Sequence, residues 1–195
     1  MSHAADIHVS ACDVINYACG YIAHRWCPRL ADDVADLVPV FACRAVPSCT
    51  DTTLELPASV QQIPIIRIDP RDGTRELVMA RWGLTPFWMK EKPKVPHINA
   101  RAETVHKLPL FREAFAKRRC LISATGFYEW QRREDGKQPY RFHRKDLEPF
   151  ALAGAWEFTR LGGEEILSTA IIIREPNPLV GGIHDRACHA AAGGL

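Results

Sequence analysis

Gln62-Ile63-Pro64-Ile65-Ile66-Arg67-Ile68-Asp69, then Pro70-Arg71-Asp72-Gly73, then Thr74-Arg75-Glu76-Leu77-Val78-Met79-Ala80-Arg81-Trp82: this stretch decides the fold class. Its first part is a short apolar run rich in Ile, which reads as a strand over 62–69. Asp-Pro-Arg-Asp-Gly is turn chemistry, because Pro presets its own φ and Gly accepts a positive one. A second apolar run over 74–82 follows, so the pair reads as a β-hairpin. Working outward, strands are expected over 120–125, 126–132, 138–143, 150–156 and 166–173, with Glu134-Asp135-Gly136 turning one hairpin. Apolar and basic residues at helical spacing predict a helix over 110–119, and a weaker pattern suggests another over 30–37. Many strands, few helices and no βαβ alternation point to an α+β fold with curved, mainly antiparallel sheets.

The composition bounds the function classes. A chain of 195 residues is long enough for one domain with a real core. Its 47% hydrophobic and 25% charged residues are ordinary for a globular protein, and a net charge of +2 does not by itself announce a nucleic-acid binder. No apolar run is long enough to cross a membrane, and no basic segment followed by an apolar one marks a secretory signal. The expectation is a cytoplasmic protein. Seven cysteines are present, and Cys12, Cys19, Cys27, Cys43 and Cys49 crowd the first part of the chain. No pair has the Cys-x-x-Cys spacing of a structural zinc site, so no metal is expected, and the cytosolic context argues against a disulfide framework.

Polar tracts interrupt the apolar pattern. His97-Ile98-Asn99-Ala100-Arg101-Ala102-Glu103-Thr104 follows a Pro- and Lys-rich loop. An Asn there offers an orienting amide and an Arg a fork for phosphate, although such a tract also serves as a loop cap. Gly126-Phe127-Tyr128-Glu129-Trp130 sets a carboxylate among aromatic rings, where burial suits it to proton transfer and exposure to an ordinary ion pair. Ile183-His184-Asp185-Arg186 carries a histidine next to charged residues that tune it. Trp82, Phe87, Trp88 and Trp130 interleave with Arg81, Lys90, Lys92, Lys94 and Arg101. That composition fits a stacking and phosphate surface for single strands, or core tryptophans beside solvated lysines.

Taken in chain order, Trp82 to Trp88, Ile98 to Thr104, Phe111 to Ile122, Gly126 to Trp130, Lys137 to Tyr140 and Ile183 to Arg186 resemble the SRAP family of abasic-site-processing proteins. The resemblance covers just over half the chain. It describes 1–195 as a single SRAP-like domain, best matched over 62–186, divergent over 1–53 and with an atypical tail over 187–195. It implies covalent capture of abasic sites in single-stranded DNA. The α-amine of a cysteine following the initiator Met attacks the sugar aldehyde, and its thiol closes a thiazolidine. Self-processing peptidase and lyase-type chemistry is implied as well. By carry-over, Asn99 aligns the reacting groups, Glu129 moves protons and His184 acts as acid and base on the deoxyribose. Arg101 holds a flanking phosphate and Trp88 packs on bases. No cofactor is implied, and a monomer is expected.

The sequence departs from the family pattern in places. Ser2 follows Met1, and the best match to the family's Met-Cys-Gly-Arg start is Ala18-Cys19-Gly20-Tyr21. Cys19, the candidate nucleophile, there has an amide nitrogen, and Tyr21 stands for a phosphate-contacting Arg. Leu56 and Ser59 fall where the family has an Asn and a Pro, and Ser123-Ala124-Thr125 replaces Pro-Ala-Asp. Beyond Arg186 the family continues Met-Pro, whereas this chain reads Ala187-Cys188-His189 and stops at Leu195. The expectation is a truncated C-terminus, translated out of frame. The rival readings are a non-covalent binder of single-stranded or damaged DNA, and an inactive frameshifted or truncated family member.

Overall fold

The computed structural model describes residues 5–9, 44–45, 62–124, 126–145, 150–175, 182–183 and 187–188. The suggested helix over 30–37 lies outside these residues.

The hairpin that the opening stretch predicts is present as β3 (Gln62–Ile68) and β4 (Arg75–Trp82). β1 (Ala5–Val9) and β2 (Arg44–Ala45) precede it. The turn is closed by Asp69, whose backbone N–H donates to Thr74 at 2.8 Å and whose carboxylate accepts from the Arg71 backbone and guanidinium. β5 (Asn99–Arg101) and α1 (Arg112–Lys117) follow. β6 (Arg119–Ala124), β7 (Phe127–Arg133), β8 (Gly136–Arg144), β9 (Phe150–Leu161), β10 (Glu164–Arg174) and β11 (Ala187–Cys188) complete the order.

Strands β10, β9, β6, β3 and β4 pair in that order, and β4 returns to β10 through Ser168↔Arg81 and Thr169↔Trp82. The result is a five-stranded, barrel-like sheet. Its closing pairing is parallel, as are those of β5 with β10, β2 with β4 and β1 with β8. The expected sheet is therefore mainly antiparallel but sealed by parallel contacts between distant segments. Alternate residues fill the interior: Ile63 and Ile65, Val78, Ala80 and Trp82, Cys120 and Ile122, Leu152 and Trp156, Ile171 and Ile173. Period-2 alternation is what sends one set of side chains inward from every strand.

A second sheet, β1-β8-β7, docks through aromatic rings. Phe127 stacks on Phe142 at 4.9 Å and meets Phe150 edge-on at 6.3 Å, and all three belong to the barrel core. On the barrel's outer side a smaller cluster of Leu84, Ala100, Val105, Phe111, Ala114, Ala155 and Ala170 seats α1 and β5.

Three elements differ clearly in length from the sequence reading. β9 and β10 run further because Gly162 and Gly163, at φ 56° and 88°, form a two-residue turn between the register partners Leu161 and Glu164. Consecutive positive φ angles match the right-handed twist of a hairpin, and glycine adopts them without steric cost. Helix α1 is shorter than 110–119. The Arg118 carbonyl accepts from Trp156 N–H at 2.8 Å, and Arg119 pairs with Ala155, so sheet bonding takes over at 118–119. Among the described residues no helix is long and apolar enough to cross a membrane.

Candidate functional site

β5 is a short strand on the barrel's flank and carries the first polar tract. It runs parallel to β10, with Asn99 opposite Ile171, Ala100 opposite Ile172 and Arg101 opposite Ile173. Ala100 is buried in the small outer cluster. Alternation then puts Asn99 and Arg101 together on the other side of the strand, where Ile171 and Ile173 belong to the barrel core. Both flanks of the strand are pinned. The Ile98 carbonyl accepts from the Trp82 indole at 3.0 Å and from Ile171 N–H at 2.9 Å, and Ala102 N–H donates to Ile173 at 2.7 Å.

Asn99 is half-buried, and its Oδ1 is buried with no hydrogen-bond partner among the described residues. An acceptor left in that state costs about 1–3 kcal/mol, so a fold keeps it only where something else gains. Its chemistry asks for a donor, either N–H or O–H. Arg101 is exposed two residues on, with its guanidinium available to an anion.

The loop after β4 presents the aromatic groups. Phe87 and Trp88 are about half exposed, at 50% and 51%, and Val95 is 73% exposed. The loop's root is rigid. Gly83 N–H donates to Thr169 and Leu84 N–H to His97, while Thr85 N–H donates to the Ser168 hydroxyl and the Thr159 hydroxyl donates back to Thr85. Gly83 sits at φ 126°, and a Cβ there would lie 2.8 Å from Pro96 Cβ, so close approach and backbone angle both require glycine. For Trp82 the core alternative holds: it is 0% exposed and fills the barrel, so it offers no stacking face. Lys90 and Lys94 are exposed, and Lys92 pairs with Glu164 at 2.6 Å.

Glu129 lies in β7 in register with Tyr140 of β8. His184 and Cys19 lie outside the described residues, but Gly182 and Ile183, immediately ahead of His184, are described. Ile98, Tyr140 and Ile183 all pack against the barrel core cluster. Those residues are, respectively, the neighbour of Asn99, the register partner of Glu129 and the neighbour of His184. Three tracts far apart in sequence thus each have a member or neighbour packed against the same barrel core cluster.

Two hydrogen bonds that sequence reading missed hold residues around the connection leading to Ile183, one of them at Gly182. Gln131 Nε2 donates to the Gly182 carbonyl at 2.9 Å, and at the start of the same connection Glu103 accepts from Glu175 N–H at 3.3 Å. Glu103 belongs to the quoted Ile98–Thr104 tract, and Gln131 directly follows the Gly126–Trp130 tract. A polar residue continuing a strand beyond a motif was the available signal.

Buried ionisable groups elsewhere serve the fold. Cys120 is enclosed with its Sγ 3.5 Å from the Thr169 hydroxyl, and burial pushes its thiol up to about 12, which removes it as a nucleophile near neutral pH. Glu157 is held by Arg118 at 2.7 Å, yet burial raises its carboxyl above the usual range. Among the described residues no group of His, Cys, Asp and Glu is arranged to hold a metal ion.

Comparison with known proteins places this architecture. The abasic site processing protein YoqW of Bacillus subtilis is 43% identical over 119 residues, covering 59% of this chain and 53% of that protein. YedK of Escherichia coli, also an abasic site processing protein, is 32% identical over 136 residues, covering 63% of this chain and 59% of that one. The chain therefore spans about half the length of the curated relatives it matches. A crystal structure of a protein from Bacteroides thetaiotaomicron superposes with a TM-score of 0.70 at 27% identity, covering 80% of this chain and 72% of that one. The family model of the SOS response associated peptidases matches residues 52–190. The chain belongs to that family, SRAP.

Proposed function

We propose that this chain recognises abasic sites in single-stranded DNA and processes them by covalent capture through Cys19. The observation that supports the reading is the buried Asn99 Oδ1, which has no hydrogen-bond partner among the described residues, on a strand whose neighbour Ile98 packs against the same core cluster as Tyr140 and Ile183. The relatives' names as abasic site processing proteins support it.

In this reading, single-stranded DNA lies against the β5 face. Arg101 contacts a phosphate flanking the lesion, and the exposed ring of Trp88 packs on a neighbouring base. The ring-opened sugar presents its aldehyde. A free α-amine on Cys19 adds to that carbon, and loss of water gives an imine. The Cys19 sulfur then adds to the imine carbon while its proton passes to nitrogen, closing a thiazolidine with all atoms accounted for. Asn99 Oδ1 accepts from the attacking amine or a sugar hydroxyl and so orients it. Glu129 carries the protons of imine formation, and His184 assists ring opening as acid and base.

Cys19 follows Ala18, so its nitrogen is an amide until that bond is cut. Self-processing at this bond, with Glu129 as base, is the peptidase activity we assign. Before cleavage the chain binds without cross-linking, a second reading favoured by the internal position of Cys19. Either way, affinity for single strands falls as salt rises, because phosphate contacts release counterions. The test is binding of abasic and intact single strands and of duplex at two salt concentrations. We expect the abasic single strand to bind tightest and to weaken with salt. Absent or salt-independent binding by folded protein would overturn both readings.

A further inference from the structure

Beyond the residues that the family resemblance supplies, we infer that Gln131 is a positioning residue that fixes the backbone directly ahead of His184. Its side-chain nitrogen donates to the Gly182 carbonyl at 2.9 Å. Its side-chain oxygen accepts from Arg133 Nε at 3.2 Å and from the Tyr140 hydroxyl at 3.2 Å. Arg133 Nη2 in turn donates to the Tyr140 oxygen at 2.6 Å.

These contacts determine which way the amide faces. A guanidinium only donates, so the group that meets Arg133 must be an acceptor. Tyr140 accepts from Arg133 and has one proton of its own, which goes to Gln131. The Gln131 oxygen is therefore committed to this pair, and its NH2 is left to face Gly182. Tyr140 is itself half-buried and packed on the barrel core, so the relay is anchored to the rigid part of the fold. Ile183 packs on the same cluster, one peptide bond from His184. The Lys137-Gln138-Pro139-Tyr140 tract thereby acquires a role, since its tyrosine aims the glutamine that holds the 182–183 segment. A reacting group works best when supporting residues lock its approach, and misplacement of about 1 Å is costly. The consequence for catalysis rests on the function proposed above, whereas the positioning itself does not.

The experiment uses the full chain and the variants Gln131→Met and Gln131→Glu. Met keeps the length and loses both polar ends. Glu keeps the acceptor for Arg133 and Tyr140 but turns an oxygen toward Gly182. Backbone amide exchange is read over 182–186, with β4 as the internal control, and His184 is titrated by NMR. A near-surface hydrogen bond of this kind predicts exchange about 2- to 10-fold faster over 182–186 in both variants, with β4 unchanged. In Gln131→Met, which adds no charge, the His184 midpoint moves by about half a unit or more. Wild-type exchange and an unmoved His184 midpoint would overturn the inference. Should either substitution disturb β4 as well, Tyr140→Phe removes only the hydroxyl that orients the amide. It must reproduce the local loosening, and its failure to do so overturns the relay. No readout involves DNA, so a failed DNA-binding experiment is separable from a failed positioning one.

Discussion

Replacing Asn99 by Leu separates a residue kept for a ligand from one kept for the fold. Asn99 Oδ1 is buried without a partner among the described residues, and the side chain stands beside Ile171 and Ile173 of the barrel core. Leu has nearly the same size and no polar atom to leave unsatisfied. An orphaned buried acceptor costs about 1–3 kcal/mol, and the partial exposure of the Asn99 residue as a whole puts this one near the lower end. The variant is therefore expected to be more stable by about 1 kcal/mol, raising the melting temperature by about 2–4 °C for a chain of this size. The same change removes the acceptor that meets the sugar or amine, so binding of abasic single strands weakens by about 2- to 10-fold. Thermal melts and fluorescence anisotropy measure the two effects on one preparation. A variant destabilised by more than about 1 kcal/mol with unchanged DNA binding would refute the reasoning, since Asn99 would then be a structural amide.

Gly83→Ala puts a Cβ 2.8 Å from Pro96 at φ 126°, and the strain is expected to destabilise the chain by about 1–3 kcal/mol; a wild-type melting temperature would contradict it. Native Cys120, buried with its thiol pushed up to about 12, should resist iodoacetamide at pH 8 and react once unfolded, as peptide mass mapping would record; rapid native labelling would show the barrel to be open. Burial lowers the His97 imidazole below its usual value, so the folded state binds its proton less readily than the unfolded state does. Its contribution to stability is present above the unfolded value near 6.5 and declines as pH falls below it. The loss of melting temperature between about pH 7 and pH 5 should then be smaller in His97→Gln, and an equal loss would assign the pH dependence elsewhere.

The β3–β4 hairpin is legible in the sequence because its signals are local: an apolar run, Asp-Pro-Arg-Asp-Gly, and a second run. The Gly162-Gly163 turn is equally local, and strands drawn without it end short of β9 and β10 as they stand. Barrel closure is not legible. The pairing of Ser168 with Arg81 joins strands remote in sequence, and no period within either strand announces its neighbour. The candidate site, which remains a proposal, divides in the same way. Residue type and the order of the tracts pick out Asn99, Arg101, Glu129 and Trp88. That Ile98, Tyr140 and Ile183 share one foundation depends on long-range packing, and so does the Gln131 contact with Gly182. Trp82 stays ambiguous in sequence because an aromatic beside arginines looks the same whether it faces solvent or fills a barrel.

The central claim meets its most direct test in covalent capture. A chain lacking residues 1–17 and carrying Ala18→Met begins Met-Cys, and removal of the Met gives Cys19 a free α-amine. Incubated with a single-stranded oligonucleotide containing one abasic site, it should form a heat-stable adduct without borohydride. That adduct should be lost in Cys19→Ala and slowed in Glu129→Gln more than binding is weakened. A folded Met-Cys chain that binds the oligonucleotide yet forms no adduct, or a Cys19→Ala chain that forms as much, would contradict the account.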